Sequence, residues 1–184
     1  AKESGLFDEI MVSTDDDEIA EVAKQYGASV PFMRSAETAS DYATTADVIL
    51  EVLDSYKKAG KEFDWFACLY PTAPFITAEK LKGAFDEFDK NGADSLIPVV
   101  KFGYPPQRGF ICREGFIQYQ YPEYASARSQ DLEPVYHDCG QFYFSRSDSF
   151  NRTHSLVTEK MVPYIISETE VQDIDTETDW IIAE

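Results

Sequence analysis

Positive charge is what this chain has least of. Sixteen Lys and Arg stand against 34 Asp and Glu, a formal net charge of −18 over 184 residues. A surface of that sign repels phosphate backbones, which argues against a nucleic-acid-binding role. It repels free nucleotides as well, unless a metal and a local basic loop offset the field. Cysteine is scarce: Cys68, Cys112 and Cys139 are scattered and odd in number. That pattern fits a reducing cytoplasm and excludes a disulfide framework or a zinc-ligand spacing. No apolar run approaches the roughly 20 residues of a membrane span, and no signal peptide is visible. Internal repeats and low-complexity segments are missing too.

What is present is a globular composition. Apolar residues make up 43% and aromatics 14%, enough to fill a core over one domain spanning 1–184. The opening, Ala1-Lys2-Glu3-Ser4-Gly5, reads as the tail of a helix with its glycine stop. Ile10-Met11-Val12 is a short buried-strand pattern ending in a Ser13-Thr14-Asp15 turn. Asp16, Asp17 and Glu18 suit a helix N-terminus, with Ile19, Val22, Ala23 and Tyr26 spaced as its inward face. A second strand is expected over 28–32. Thr44 or Thr45 caps the next helix, whose buried stripe is Val48, Ile49, Val52, Leu53 and Tyr56. The run 65–70 is apolar on both faces, as a central parallel strand is. A third helix from about Thr77 turns Leu81, Ala84, Phe85 and Phe88 inward, and another strand follows over 95–100.

Alternating strands and helices predict a parallel sheet covered on both faces, with ligands at the carboxyl ends of its strands. Ser13-Thr14-Asp15, the loop 70–74 and the loop after Val100 then share one rim. The alternation breaks over 101–137, a stretch rich in Gly, Pro, Tyr and Gln. It reads as an insertion with short antiparallel strands around 110–119. Strands resume at 141–144 and 161–166.

The chemistry concentrates near the end. Asp173 and Asp175 are two apart; in an extended segment they leave one face, roughly 7 Å apart. Two hard carboxylates so placed suit Mg²⁺, which binds through one or two carboxylates plus substrate phosphates. Thr176-x-x-Asp179 ahead of Trp180-Ile181-Ile182 has the form of a capping box. The plainer account is that the acids only cap that helix. His137-Asp138-Cys139-Gly140 suggests a Cys-His nucleophile, but such catalytic sets are defined by geometry rather than by adjacency; a buried or substrate-facing cysteine is the simpler account. Arg34 alone reads as a surface cation.

Together these segments resemble the acylneuraminate cytidylyltransferases over nearly the whole chain. Val12-Ser13-Thr14-Asp15 followed by Glu18-Ile19-Ala20 is similar to that family's second strand and turn. Arg34, with Glu37, Ala39, Ser40 and Asp41, resembles its Arg-Pro-x-x-Leu-Ala-x-Asp loop, with Ser35 replacing the proline. Pro71-Thr72-Ala73-Pro74 resembles its Gln-Pro-Thr-Ser-Pro motif, with Tyr70 replacing the glutamine. Asp173-Ile174-Asp175-Thr176 resembles its metal-binding Asp-Ile-Asp-Thr. The stretches 70–75 and 136–144 are most similar to the branch that activates pseudaminic acid.

The resemblance implies a Rossmann-like three-layer αβα sandwich of the nucleotide-diphospho-sugar transferase type, with a mostly parallel sheet and residues 101–137 as a β arm for dimerisation and sugar binding. It also implies a strand, a basic Gly-rich phosphate loop and a helix ahead of Ala1. The implied reaction transfers CMP from CTP to a nine-carbon 2-keto sugar acid in a homodimer with Mg²⁺ on Asp173 and Asp175. Ser13, Asp15, Arg34 and Thr45 fall to the nucleotide. Tyr70, Thr72, Arg128, His137, Asp138, Gly140 and Gln141 fall to the sugar. Three alternatives stay open: an Asp-x-Asp glycosyltransferase, an aspartyl phosphatase, and a non-catalytic binding module of the same fold.

Overall fold

The computed structural model describes residues 1–183. Helix starts follow local capping. Asp16 accepts from the backbone N–H of Glu18 (2.8 Å) and Ile19 (2.9 Å) and opens α1 (Asp17–Gln25). Thr44, in a reciprocal box with Asp47, opens α2 (Thr45–Lys58). Thr77 caps α3 (Ala78–Lys90). Capping by Thr44 leaves the hydroxyl of Thr45 available for the rim.

The main sheet has five strands: β1 (Trp65–Leu69), β2 (Ser95–Lys101), β5 (Tyr136–Asp138), β6 (Phe142–Arg146) and β7 (Met161–Ile165). β2 is the centre. One edge pairs in parallel with β7 along Ser95–Val99; the other pairs antiparallel first with β6, at Ser95 and Leu96, then with β5, at Val99–Lys101. β6 also pairs antiparallel with β1. The expected parallel sheet is therefore modified. β1, β2 and β7 do run in one direction, but β6 is wedged between β1 and β2 in the other. Periodicity marks a strand as buried; it carries no information about which later strand lies beside it.

Side-chain alternation along β1 sets the layers. Trp65 meets Phe85 of α3 at 4.6 Å between ring centroids, while Phe66, on the opposite face, meets Phe150 at 5.2 Å. Phe150 belongs to α4 (Ser147–Thr153) and is fully enclosed. Helices thus cover both faces. Leu81, Ala84 and Phe88 of α3 pack with Leu96, Phe142 and Phe144 as the main core, as the helical spacing predicts.

Two expectations need correction. The strands expected at 10–12 and 28–32 are reduced to one parallel bridge, Met11 with Ser29, held by two backbone hydrogen bonds of 2.8 and 3.0 Å. With no third strand beside them among the described residues, the pairing does not lengthen into a ladder. The inward face assigned to α1 is turned outward: Ile19, Val22 and Tyr26 are 54%, 51% and 81% exposed, and Ala20 is the buried residue. Nothing among the described residues covers that stripe.

The insertion holds the hairpin β3 (Phe110–Arg113) and β4 (Phe116–Tyr119), a separate two-stranded sheet. Its turn residues Glu114 (φ 51°) and Gly115 (φ 83°) both lie in the left-handed region, as a two-residue type I′ turn requires. The last element among the described residues is α5 (Glu177–Ala183). No helix among the described residues is long and apolar enough to cross a membrane.

Candidate active site

The carboxyl end of β1 and the break between β5 and β6 lie side by side. The Tyr70 N–H donates to the Gln141 carbonyl at 2.8 Å, one step beyond the last β1–β6 pair. The break, Cys139-Gly140-Gln141, turns at Gly140 (φ 62°). This three-residue step lets one stretch of chain leave β2 and enter between β2 and β1.

Asp138 stands at the edge of the break. One carboxylate oxygen accepts from the Gly140 N–H at 2.9 Å and the other from the Tyr143 hydroxyl at 2.7 Å. Burial first, then the Asp138 carboxylate, pushes the Tyr143 hydroxyl well above its ordinary value. It therefore stays a donor at any working pH. The Tyr143 ring lies 5.2 Å from that of Tyr70, whose hydroxyl is 3.0 Å from Thr45 Oγ1. Thr45, Tyr70, Tyr143 and Asp138 thus form one chain of contacts from the start of α2 to the break.

Asp173 arrives from the other side. Its carboxylate lies directly on Gly140: a Cβ there would be 2.7 Å from Asp173 Oδ2 and 3.2 Å from Oδ1. Glycine is the residue that admits this approach, and the positive φ favours it independently. Partial withdrawal from water, then the negative charges of Asp175 and Asp138, raise the Asp173 carboxyl above its ordinary 3.8. The following loop is drawn together by Asp179. It accepts from Asp175 N (3.2 Å), from Thr176 N and Oγ1 (both 2.8 Å), and from Gln172 Nε2 (3.0 Å). The capping box read from Thr176 and Asp179 is present and opens α5.

Asp173 and Asp175, with Asp138 near, form a pool of hard oxygens whose mutual repulsion a divalent cation would relieve. Among the described residues no three acidic, His or Cys side chains gather tightly enough to enclose a metal. The donor set fits an ion that completes its shell with water and substrate phosphates, as Mg²⁺ does.

The remaining residues assigned from sequence lie as follows. Arg34 donates to Ser13 Oγ (3.0 Å) and to the Ser13 carbonyl (2.6 Å), so these two form a local pair, with Asp15 exposed beyond them. Thr72 is exposed in the loop after β1. His137 packs its ring 4.7 Å from Phe102 and points Nδ1 at the Asp138 carbonyl. Arg128 is exposed and bonded to Asp131 within its own turn, at 2.7 and 3.1 Å. Gln141 is fully enclosed and offers a ligand no surface. Burial raises the Cys139 thiol to about 12, so the Cys-His reading fails: the thiolate is not accessible near neutral pH.

Sequence reasoning missed Tyr143, which sits in the aromatic run Phe142-Tyr143-Phe144 of β6 and reads as core, and Lys80. The latter, nearly buried in the first turn of α3, donates to the Phe75 carbonyl (2.8 Å) and pairs with Glu170 (3.1 Å). No spacing rule links position 80 to position 170.

An α/β sheet with polar side chains and hard carboxylates converging at one rim, beside a strand break, has the layout of an α/β protein that binds its ligand at the carboxyl ends of the strands. Comparison with known proteins gives the family. A cytidylyltransferase family model matches residues 1–172, and the chain belongs to that family. It is 36% identical over 177 residues to a pseudaminic acid cytidylyltransferase of Campylobacter jejuni, covering 96% of this chain and 76% of the relative. It is 32% identical over 191 residues to a CMP-N,N′-diacetyllegionaminic acid synthase of Legionella pneumophila, covering 100% of this chain and 80% of that one. A CMP:2-keto-3-deoxy-manno-octonic acid synthetase solved with CTP superposes with a TM-score of 0.63 at 13% identity, over 99% of this chain and 83% of the other. That likeness supports the α/β fold.

Proposed function

We propose that the protein transfers CMP from CTP to the anomeric hydroxyl of a nine-carbon 2-keto sugar acid, with pseudaminic acid the preferred substrate. The hydroxyl oxygen forms a bond to the α-phosphorus, the bond to the β-phosphate oxygen breaks, and diphosphate leaves with the electron pair. The observation that carries the reading is the meeting of Asp173 with Gly140, beside Asp138, in a chain of this family. It brings the two carboxylates to the rim where Tyr70 and His137 also lie.

Asp173 and Asp175 are the residues that would hold Mg²⁺. The ion, when bound, offsets charge on the phosphate oxygens and makes the α-phosphorus more electrophilic. The protein's own part is positioning and exclusion of water. Tyr143 fixes Asp138, and Asp138 faces the sugar. Tyr70 and Thr45 hold the floor between sugar and nucleotide. Arg34, on the Ser13 turn, serves the cytosine acceptors. Free, scattered cysteines support a cytoplasmic setting, and the exposed aromatics of the arm support a homodimer.

The sugar preference rests on polarity. Pseudaminic acid carries two acylamido groups and a deoxygenated end. Tyr70, half-buried at the rim, stands where members of the sialic acid branch resemble one another in having Gln, so the site offers more apolar surface and fewer hydroxyl partners; Cys139 is enclosed and adds none. Diphosphate release is measured with CTP and each sugar at matched concentration. Turnover with pseudaminic acid should exceed that with N-acetylneuraminic acid by up to about 10⁴-fold, the range set by mismatched buried polar groups. Equal turnover overturns the sugar assignment, and no release with any such acid overturns the reaction.

A further inference from the structure

Gln141 is fully enclosed, yet only half of its amide is used. Nε2 donates to the Glu170 carbonyl at 2.9 Å, while the buried Oε1 meets no donor among the described residues. A buried acceptor without a partner costs about as much as the one Nε2 hydrogen bond returns, and the carbonyl of Glu170, an exposed residue, can turn to water when that donor is lost, so an apolar side chain of the same shape would cost the fold little. Stability therefore does not account for an amide at this position.

What the amide does is hold the backbone at Glu170, three residues ahead of Asp173. The Glu170 side chain is held separately by Lys80. The neighbouring residue, Gly140, receives the Asp173 carboxylate itself. One dipeptide at the strand break thus grips both ends of the segment 170–173.

We propose that Gln141 is a positioning residue: it sets the Asp173 carboxylate for the metal by anchoring the Glu170 backbone to the β5–β6 break, and does not contact the sugar. This rests on the reading of Asp173 and Asp175 as metal ligands.

The test compares the parent, Gln141→Met, Gln141→Asn, Lys80→Met and Asp175→Asn. Mn²⁺ binding in the presence of saturating CTP is followed by electron paramagnetic resonance, and stability by urea unfolding. Gln141→Met should unfold close to the parent's urea concentration and bind Mn²⁺ about 10-fold or more weakly, the usual effect of losing a group that orients a ligand. Its turnover should recover as Mn²⁺ is raised, and KM for the sugar should stay at the parent value. Parent Mn²⁺ affinity in Gln141→Met overturns the proposal, as does a sugar KM effect with metal affinity intact. Should Gln141→Met not fold, Gln141→Asn decides, because the shorter amide keeps the polarity but does not reach the Glu170 carbonyl: weaker Mn²⁺ binding there supports the anchor and parent affinity removes it, with Lys80→Met as the control that releases only the Glu170 side chain. Asp175→Asn separates the two levels, since parent Mn²⁺ affinity in that variant means the metal reading itself is wrong.

Discussion

Arg34 is, at the residue scale, a lone cation for which we propose a role. In isolation it reads as a surface charge, but its guanidinium is oriented by Ser13 Oγ and the Ser13 carbonyl. An oriented planar donor matches the acceptors of a cytosine edge. Arg34→Ala should raise KM for CTP by roughly 10- to 100-fold, as loss of about 1.5–3 kcal/mol implies, and leave KM for the sugar nearly unchanged. Steady-state kinetics with each substrate varied in turn checks this. A second prediction concerns Glu9, which has nothing to do with the site. A hydrogen bond from Lys61 first, then one from Ser29, holds its carboxyl below the ordinary 4.5. A carboxyl depressed in the folded state contributes stability above its unfolded pKa and loses it as pH falls from there through the folded value. The urea midpoint should therefore drop as pH falls below about 4.5, and the drop should be shallower in Glu9→Gln.

Among the elements, the helices were the most legible in the sequence. Thr44, Thr77 and Thr176 are caps because a short side-chain oxygen competes well for the first free N–H groups, and that competition is local. Leu81, Ala84 and Phe88 are core for an equally local reason, their spacing on one helix face. The same spacing failed for Ile19, Val22 and Tyr26, because periodicity shows which face is apolar and not whether anything lies against it. The site was legible where its motifs are contiguous, as at Asp173–Asp175. It was not legible where two distant stretches meet, as Gly140 does with Asp173 or Lys80 with Glu170. The loop before α5 offers a test at this scale. Asp179→Ala removes the acceptor for Gln172, Asp175 and Thr176 together. Amide exchange at Asp175 and Thr176 should speed up several-fold and turnover should fall, while the global urea midpoint stays close to the parent's. Unchanged exchange at those amides would mean that Asp179 does not organise the loop.

The charge of −18 belongs to the whole molecule, and so does the arm. A net charge of −18 makes like copies repel, so an apolar contact favours bringing two together. The hairpin is the surface we propose for it, with Phe110, Phe116 and Ile117 at 54%, 80% and 69% exposed. Aromatic side chains at such density are typical of the core of an interface. Light scattering should give twice the chain mass for the parent. Phe116→Asp should shift the population to monomer at micromolar concentration and lower turnover without loss of helical signal. A monomeric parent with full activity would leave the arm without this role.

The order of the strands also bears on how the chain is made. β6 lies between β1 and β2 but is synthesised after both, and after the whole arm. While translation proceeds, β1 and β2 have emerged with no strand yet available to join them. β5 can join only the Val99–Lys101 end of β2; β1 and the Ser95–Leu96 end of β2 stay unpaired until Phe142–Arg146 leaves the ribosome, and the far edge of β2 waits longer still, for Met161–Ile165. A nascent chain of this kind is exposed to wrong partners for most of its synthesis. A holdase chaperone that shields the two waiting strands until the late ones arrive would raise its yield.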